Sequence, residues 1–201
     1  MLVFFLVPRL SGDFFRLAET TFFPHEKVIA EIPLTEFPNE QNKEVMPPRE
    51  TRPPITYPKL FISEVMTGSS VSAQDEFVEL YNPNDVAVSL TDWDIRRKSA
   101  TGKESLFVSA LRLKNKTIPP YRYFLIAHDG GYTGKVLSDA LWPKSYSLSA
   151  TKGALVLYNP AGIVSDEISW NMVPKDQSII RASWDSAVFV VLSTPTPQNS
   201  Q

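Results

Sequence analysis

The sequence contains no cysteine, so disulfide staples, iron–sulfur clusters, thiolate zinc sites and cysteine nucleophiles are excluded. It has only two histidines, His25 and His128, which rules out a histidine-rich metal site. Glycine is scarce, at 8 of 201 residues, and leaves little material for flexible phosphate-binding loops. A cationic surplus is lacking too: 20 Lys and Arg stand against 22 Asp and Glu, a formal net charge of −2. A protein whose main partner is nucleic acid or an anionic membrane needs a clear positive excess. The apolar run Met1 to Val7 is closed by Pro8 and Arg9, well short of the roughly 20 residues that span a bilayer. No segment sustains the i, i+3, i+4 apolar stripe of a packed helix, and no heptad repeat is present.

Proline, by contrast, is plentiful and unevenly placed. Nine of the 17 prolines precede Lys59. Each removes a backbone donor and biases the residue before it towards extended geometry, so residues 37–58, with Glu40, Glu44, Arg49, Glu50 and Arg52 among their prolines, read as a semi-rigid proline-rich linker. Residues 1–36 form a hydrophobic arm with Phe14, Phe15, Phe22 and Phe23. The opening run has no basic residues before it and no small-residue cleavage site after it, as a secretory signal would. Two readings stay open there: the remnant of a signal or anchor, or a short strand or arm. Membrane or export association through this segment is an expectation about localisation.

After Lys59 the apolar residues come in short runs bounded by turns. Leu60–Met66 and Glu76–Tyr81 are followed by the turn signal Asn82-Pro-Asn-Asp85; Phe77, Glu79 and Tyr81 face one way and Glu76, Val78 and Leu80 the other. Val86–Leu90, Trp93–Lys98, Leu106–Val108, Leu111–Leu113, Thr117-Ile118 and Tyr121–Ala127 continue the series. Ala154–Tyr158, Ile163-Val164, Glu167–Trp170, Ser178–Arg181 and Val188–Leu192 complete it. About eight to ten short strands in this length predict an all-β fold, an antiparallel β-sandwich or barrel. Trp93 follows a Thr91-Asp92 turn; burying an indole is worth about 2–3 kcal/mol, so it is expected to anchor one sheet on the other. Leu80-Tyr-Asn-Pro83 recurs as Leu157-Tyr-Asn-Pro160, but the flanks differ, and shared strand-ending chemistry explains the echo.

Several of these pieces, in order, resemble the lamin-tail domain. Ile62-Ser-Glu-Val-Met66 is similar to its first strand, and Glu76-Phe-Val-Glu-Leu-Tyr-Asn-Pro83 followed by Val88–Arg96 to its opening motif. Ile118–Ile126, Tyr146–Ser149, Gly153–Leu157, Gly162–Trp170, Ser178–Arg181 and Thr194-Pro-Thr-Pro197 follow in the family's order. The resemblance covers residues 60–197 and implies an immunoglobulin-like β-sandwich over 59–197, of the prokaryotic type that stands alone or is appended to secreted, envelope or nuclease proteins. One departure is the glycine-poor loop Ser149-Ala-Thr-Lys152, where the family often has an Asn-Ser-Gly-Asp type turn.

The chemistry-bearing residues divide into four groups. Glu64, Asp75, Glu76 and Glu79 have the oxygen ligands for a hard cation, but no calcium-loop spacing accompanies them, and solvated strand and loop positions account for them. His128-Asp129 joins an imidazole and an acid, yet neighbours on a turn do not make an oriented base, and no nucleophile elbow is present; turn residues explain the pair. Arg96, Arg97 and Lys98, with Lys103, form the densest basic cluster. Arg112, Lys114 and Lys116 form a second, which strand alternation would place on one sheet face. Either can meet an acidic partner or belong to a solvated face balanced by carboxylates. Tyr121, Tyr123, Tyr132, Trp142 and Tyr146 fall in or near loops, where aromatic rings can form a ligand platform. No catalytic constellation, cofactor motif or metal motif emerges. The expected function is a non-catalytic interaction module, envelope-associated or extracellular, that binds protein or surface polymer. The alternative is an accessory nucleic-acid-binding domain acting through the basic clusters.

Overall fold

A computed structural model describes residues 55–184 and 186–201. The hydrophobic arm or signal or anchor remnant expected over 1–36, and all of the 37–58 linker except 55–58, lie outside the described residues. From Phe61 onward the chain forms twelve strands and one helical turn. In order they are β1 (Phe61–Thr67), β2 (Glu76–Tyr81), β3 (Val88–Ser89), β4 (Asp94–Lys98) and β5 (Glu104–Val108). Then come α1 (Ala110–Leu113), β6 (Thr117–Ile118), β7 (Tyr123–His128), β8 (Ala140–Trp142), β9 (Thr151–Tyr158), β10 (Val164–Met172), β11 (Ser178–Arg181) and β12 (Phe189–Leu192). They make a six-stranded sheet in the order β12-β11-β1-β2-β7-β8, a four-stranded sheet β10-β9-β4-β5, and the small pair β3-β6. The immunoglobulin-like β-sandwich is thus the observed architecture. One pairing is not antiparallel: β8 runs parallel to β7, with Ile126 opposite Ala140. Among the described residues no helix is long and apolar enough to cross a membrane.

The core follows from strand alternation. Val78 and Leu80 from β2, Phe124 and Ile126 from β7, and Ile62 and Val65 from β1 meet Ile95, Phe107, Leu155, Leu157 and Ile168 of the other sheet in one buried cluster. Trp93 is 1% exposed within it, at the position the sequence indicated. Asn82, fully buried, ends β2 and closes the corner. Its Nδ2 lies 2.9, 3.1 and 3.0 Å from the carbonyls of Val86, Ile118 and Pro119, and its Oδ1 accepts the Asn84 N–H at 2.9 Å. Asn159, its counterpart in the repeated tetrapeptide, accepts the N–H groups of Ala161 and Ile163 in a local turn. The two asparagines do different work.

The structure corrects one strand. Leu111–Leu113 lies in α1, where alternation would have buried both leucines together. Instead Leu111 is 78% exposed and Leu113 fully buried, the outcome of a helical turn whose single inward residue plugs the core. Lys114 caps that turn and Asn115 has φ +61°, so Arg112, Lys114 and Lys116 do not share a sheet face.

The two sheets are also tied by charge. Asp166 of β10 accepts the Ile62 N–H of β1 at 2.8 Å and pairs with Arg181 of β11. Both side chains are nearly buried, at 8% and 5% exposure, and the guanidinium stacks over Phe61 and Phe189. Removing one partner of such a pair strands the other charge away from water. Arg181→Met is therefore expected to lower the unfolding free energy in urea titration by about 3–5 kcal/mol.

Candidate cationic binding cleft

At one end of the sandwich the inner faces part around Trp170. Two adjoining concavities of about 460 and 650 Å³ share Lys98, Lys152, Gly153 and Trp170. The smaller is lined by Arg97, Lys103 and Ser105 on one side and Ser147, Leu148 and Ser149 on the other. The larger reaches Ile179, Phe189 and Val191 of the six-stranded sheet.

The floor depends on a missing side chain. Gly153 stands opposite Trp170 in the β9–β10 register, and a Cβ there would lie 2.7 Å from the indole ring. The indole lies across this glycine and donates its N–H to the Ser149 carbonyl at 2.8 Å. The preceding residue, Lys152, has φ +46°, a left-handed conformation that costs a residue with a Cβ of order 1 kcal/mol. It occupies the glycine-poor loop noted in the sequence.

The 146–149 wall is pinned residue by residue from four elements. The Trp142 indole N–H donates to the Tyr146 carbonyl at 2.9 Å, and Arg97 Nη1 donates to the Ser147 carbonyl at 2.6 Å. The Leu148 N–H donates to Glu76 Oε1 at 2.8 Å, and Trp170 holds Ser149. Arg97 also lies over the Tyr146 and Phe107 rings, 5.3 and 5.9 Å from their centroids. Behind the wall Glu76 is fully buried, and its Oε2 has no hydrogen-bond partner. Burial pushes its carboxyl up to about 8, against the smaller downward pull of the Leu148 N–H and Arg97.

The basic residues singled out in the sequence are only partly brought together. Arg97, Lys98 and Lys103 line the cleft. Alternation turns Arg96 to the outer face of β4, where it pairs with Asp94 and Glu104 and stacks on Tyr158. Lys98 sits at the rim, neutralised by Glu167 at 2.8 Å; that hydrogen bond raises its pKa. Lys103 and Lys152 have no ion pair among the described residues. Arg112 on α1, Lys114 at its cap and Lys116 just before β6 stay outside the cleft, and Arg112 donates to the Leu141 carbonyl at 2.9 Å. Lys152 and Trp170 were not singled out; a lysine with positive φ and a tryptophan over glycine leave no pattern in sequence alone.

The other candidate groups dissolve differently. Glu64, Asp75, Glu76 and Glu79 are all buried, not solvated as expected, because the other sheet covers one face of their sheet and loops with the C-terminal segment cover the other. Asp75 accepts the Thr133 N–H and hydroxyl at 2.8 and 2.7 Å. Among the described residues no cluster of three or more acids and histidines could hold a metal. His128 is no turn residue: it ends β7, is 1% exposed, and lies edge-on to Trp142, with neither ring nitrogen hydrogen-bonded. Trp142 lies in the core, not in a ligand platform, because its ring packs on Phe107 at 4.8 Å. Tyr121 is exposed at φ +55°, and Tyr132 packs edge-on to Phe77. Tyr123 packs at a tilt against Tyr81, on which Trp184 is stacked at 4.2 Å.

Two outcomes test the cleft. Gly153→Val is expected to eject the indole from its floor, seen as a red shift and loss of tryptophan fluorescence relative to the parent chain. Glu76 titrates differently when folded: its pKa, raised from 4.5 to about 8, means the native state holds the proton more tightly than the unfolded chain. Stability is therefore greatest on the acid side of this window and falls as pH rises from about 4.5 towards 8, then levels. Glu76→Gln is expected to reduce that slope in unfolding midpoints measured across pH, leaving the share that Glu79, raised likewise to about 8, contributes.

A family model described as Lamin Tail Domain matches residues 53–172. Among curated proteins none matches the chain.

Proposed function

Since the chain belongs to the lamin tail domain family, whose immunoglobulin-like domains usually mediate interactions, we propose that it is a non-catalytic binding module. Its cationic cleft receives an acidic segment of a protein or an acidic surface polymer, at the cell envelope or outside the cell. The observation that carries this reading is the pairing of Lys103 and Lys152, both exposed and without ion pairs among the described residues, with Arg97 around the Trp170 floor. A concave site with an aromatic floor and unneutralised cations at its edge suits an extended anionic ligand: the ring supplies contact area and the ammonium groups steer approach. The envelope or extracellular location rests on the apolar opening run and the proline-rich stretch that precedes the domain. The nucleic-acid reading fares less well, because Arg96 and Lys98 are balanced by carboxylates and the second basic cluster lies outside the cleft.

A fluorescein-labelled hexaglutamate peptide is the first probe. Binding is expected at low salt, weakening as salt rises, and Lys103→Glu with Lys152→Glu should reduce affinity at least about ten-fold, since each reversal replaces attraction by repulsion. Arg112→Glu should leave it unchanged. No binding at low salt, or binding indifferent to the double substitution, overturns the proposal; tighter binding of single-stranded DNA that depends on Arg112 would favour the nucleic-acid reading.

A further inference from the structure

The outer face of the six-stranded sheet carries residues in three rows fixed by register. Phe61, Tyr81 and Tyr123 form one, Glu64, Glu79 and Leu125 the next, and Met66, Phe77 and Ala127 the third. An extended C-terminal segment lies along the middle row. The Thr196 N–H donates to Glu64 at 2.9 Å, the Gln198 N–H to Glu79 at 2.6 Å, and the Ser200 N–H to Asp139 at 3.0 Å. The contacts fall on every second residue. Pro195 and Pro197, between and before these donors, have no N–H to leave unsatisfied, and they hold the segment extended.

This seated segment is an imperfect occupant. Its side chains from Pro195 to Gln201 carry no charge, and no ion pair among the described residues involves Glu64, Glu79 or Asp139. Burial pushes the Glu79 carboxyl up to about 8, offset in part by the Ser63 hydroxyl and the Gln198 N–H, while neighbouring Glu64 pushes it further up. The segment thus meets the hydrogen-bonding demand of the row but brings no cation to it, and without one Glu79 keeps its proton up to about 8. The Thr196 and Ser200 hydroxyls add one bond each, to Glu64 and Asp139, but a main-chain N–H reaches every acid of the row, so another extended chain with donors at the same spacing meets the same three acceptors. A Lys or Arg at the position of Gln198 would supply the absent cation beside Glu79 and the Tyr123 ring.

We propose that Glu64, Glu79 and Asp139 form a receiving track for an extended, proline-punctuated peptide of a partner protein that carries a basic residue, and that this peptide displaces the chain's own residues 195–200. The track lies on a different face from the cationic cleft and accepts the opposite charge, so the two proposals stand or fall separately.

The test uses the full chain with Thr196→Pro and Gln198→Pro, which removes two donors and frees the track. Labelled synthetic peptides spanning 193–201 are titrated by anisotropy: the native sequence, the same peptide with Gln198→Lys, and the same peptide with Thr196→Pro and Gln198→Pro. The basic peptide is expected to bind about ten-fold tighter than the native one, as one charge-assisted contact allows, and the peptide lacking both donors not at all. Glu79→Gln in the receiving chain should abolish the preference. Absence of saturable binding to a cooperatively folded opened chain overturns the proposal. So does equal binding of basic and native peptides, which would make a second copy's tail the natural occupant. Should the opened chain not fold, hydrogen exchange on the unaltered chain decides. The amides of Thr196, Gln198 and Ser200 must exchange through local release, and exchange only with the core amides of β1 and β2 overturns the proposal.

Discussion

A sheet covered on both faces holds its polar atoms away from water, and the rest of this molecule answers to that constraint, leaving few of them, Glu76 Oε2 and both His128 ring nitrogens included, without a partner. The six-stranded sheet has the other sheet on its inner face and the 132–139 loop with the C-terminal segment on its outer face. Glu64, Asp75, Glu76 and Glu79 consequently lie away from water, where an unpaired carboxylate costs several kcal/mol. The solutions are local and specific. Ser178 donates to Glu64 and Ser63 to Glu79, both at 2.5 Å, and main-chain N–H groups arrive from Leu148, Thr196 and Gln198. The segments that supply them are held where they are by the acids they serve.

That reciprocity explains why the cleft is a formed site rather than a gap. Residues 146–149 include no strand, so their backbone groups have no ladder to join. Each is instead met by a side chain rooted in the packed body: Trp142, Arg97, Glu76 and Trp170. A wall fixed this way presents its serines and the adjacent lysines at constant positions, which lowers the ordering cost of binding. The same logic places Trp170, since Gly153 gives it room that any other residue would fill.

Much of this was legible in the sequence where period and punctuation agree. The limits of β2, the break at Asn82-Pro83 and the burial of Trp93 follow from alternation and turn chemistry. Leu111–Leu113 misled because two leucines two apart fit a strand as well as one helical turn, and only the demand for a single core plug decides. Ala140–Trp142 escaped notice because three residues before Pro143 are too few to show a period, and their parallel pairing with β7 depends on the long excursion between them. The four acids read as solvated because nothing local says that distant segments, more than a hundred residues away for Thr196 over Glu64, will cover them. Of the first basic cluster, Arg97, Lys98 and Lys103 reached the cleft, while alternation sent Arg96 to the opposite face of β4. The C-terminal Thr-Pro-Thr-Pro stretch read only as a family ending, since its seating depends on N–H groups that meet acids far away in the sequence.

Carboxyls pushed to about 8 usually direct attention to catalysis, but in these two burial, not a reacting group, sets the proton affinity. A general acid or base has to meet its substrate within hydrogen-bond reach. Glu76 stands behind the 146–149 wall with one oxygen bound to Leu148, and Glu79 lies under Gln198. Their altered proton affinity arises from the burial that holds covering segments in place, so it records structural work. The polar groups that face the cleft include ammonium and guanidinium ions, serine hydroxyls and an indole. Such a set can hold an anion and orient it. Binding is the chemistry it supports.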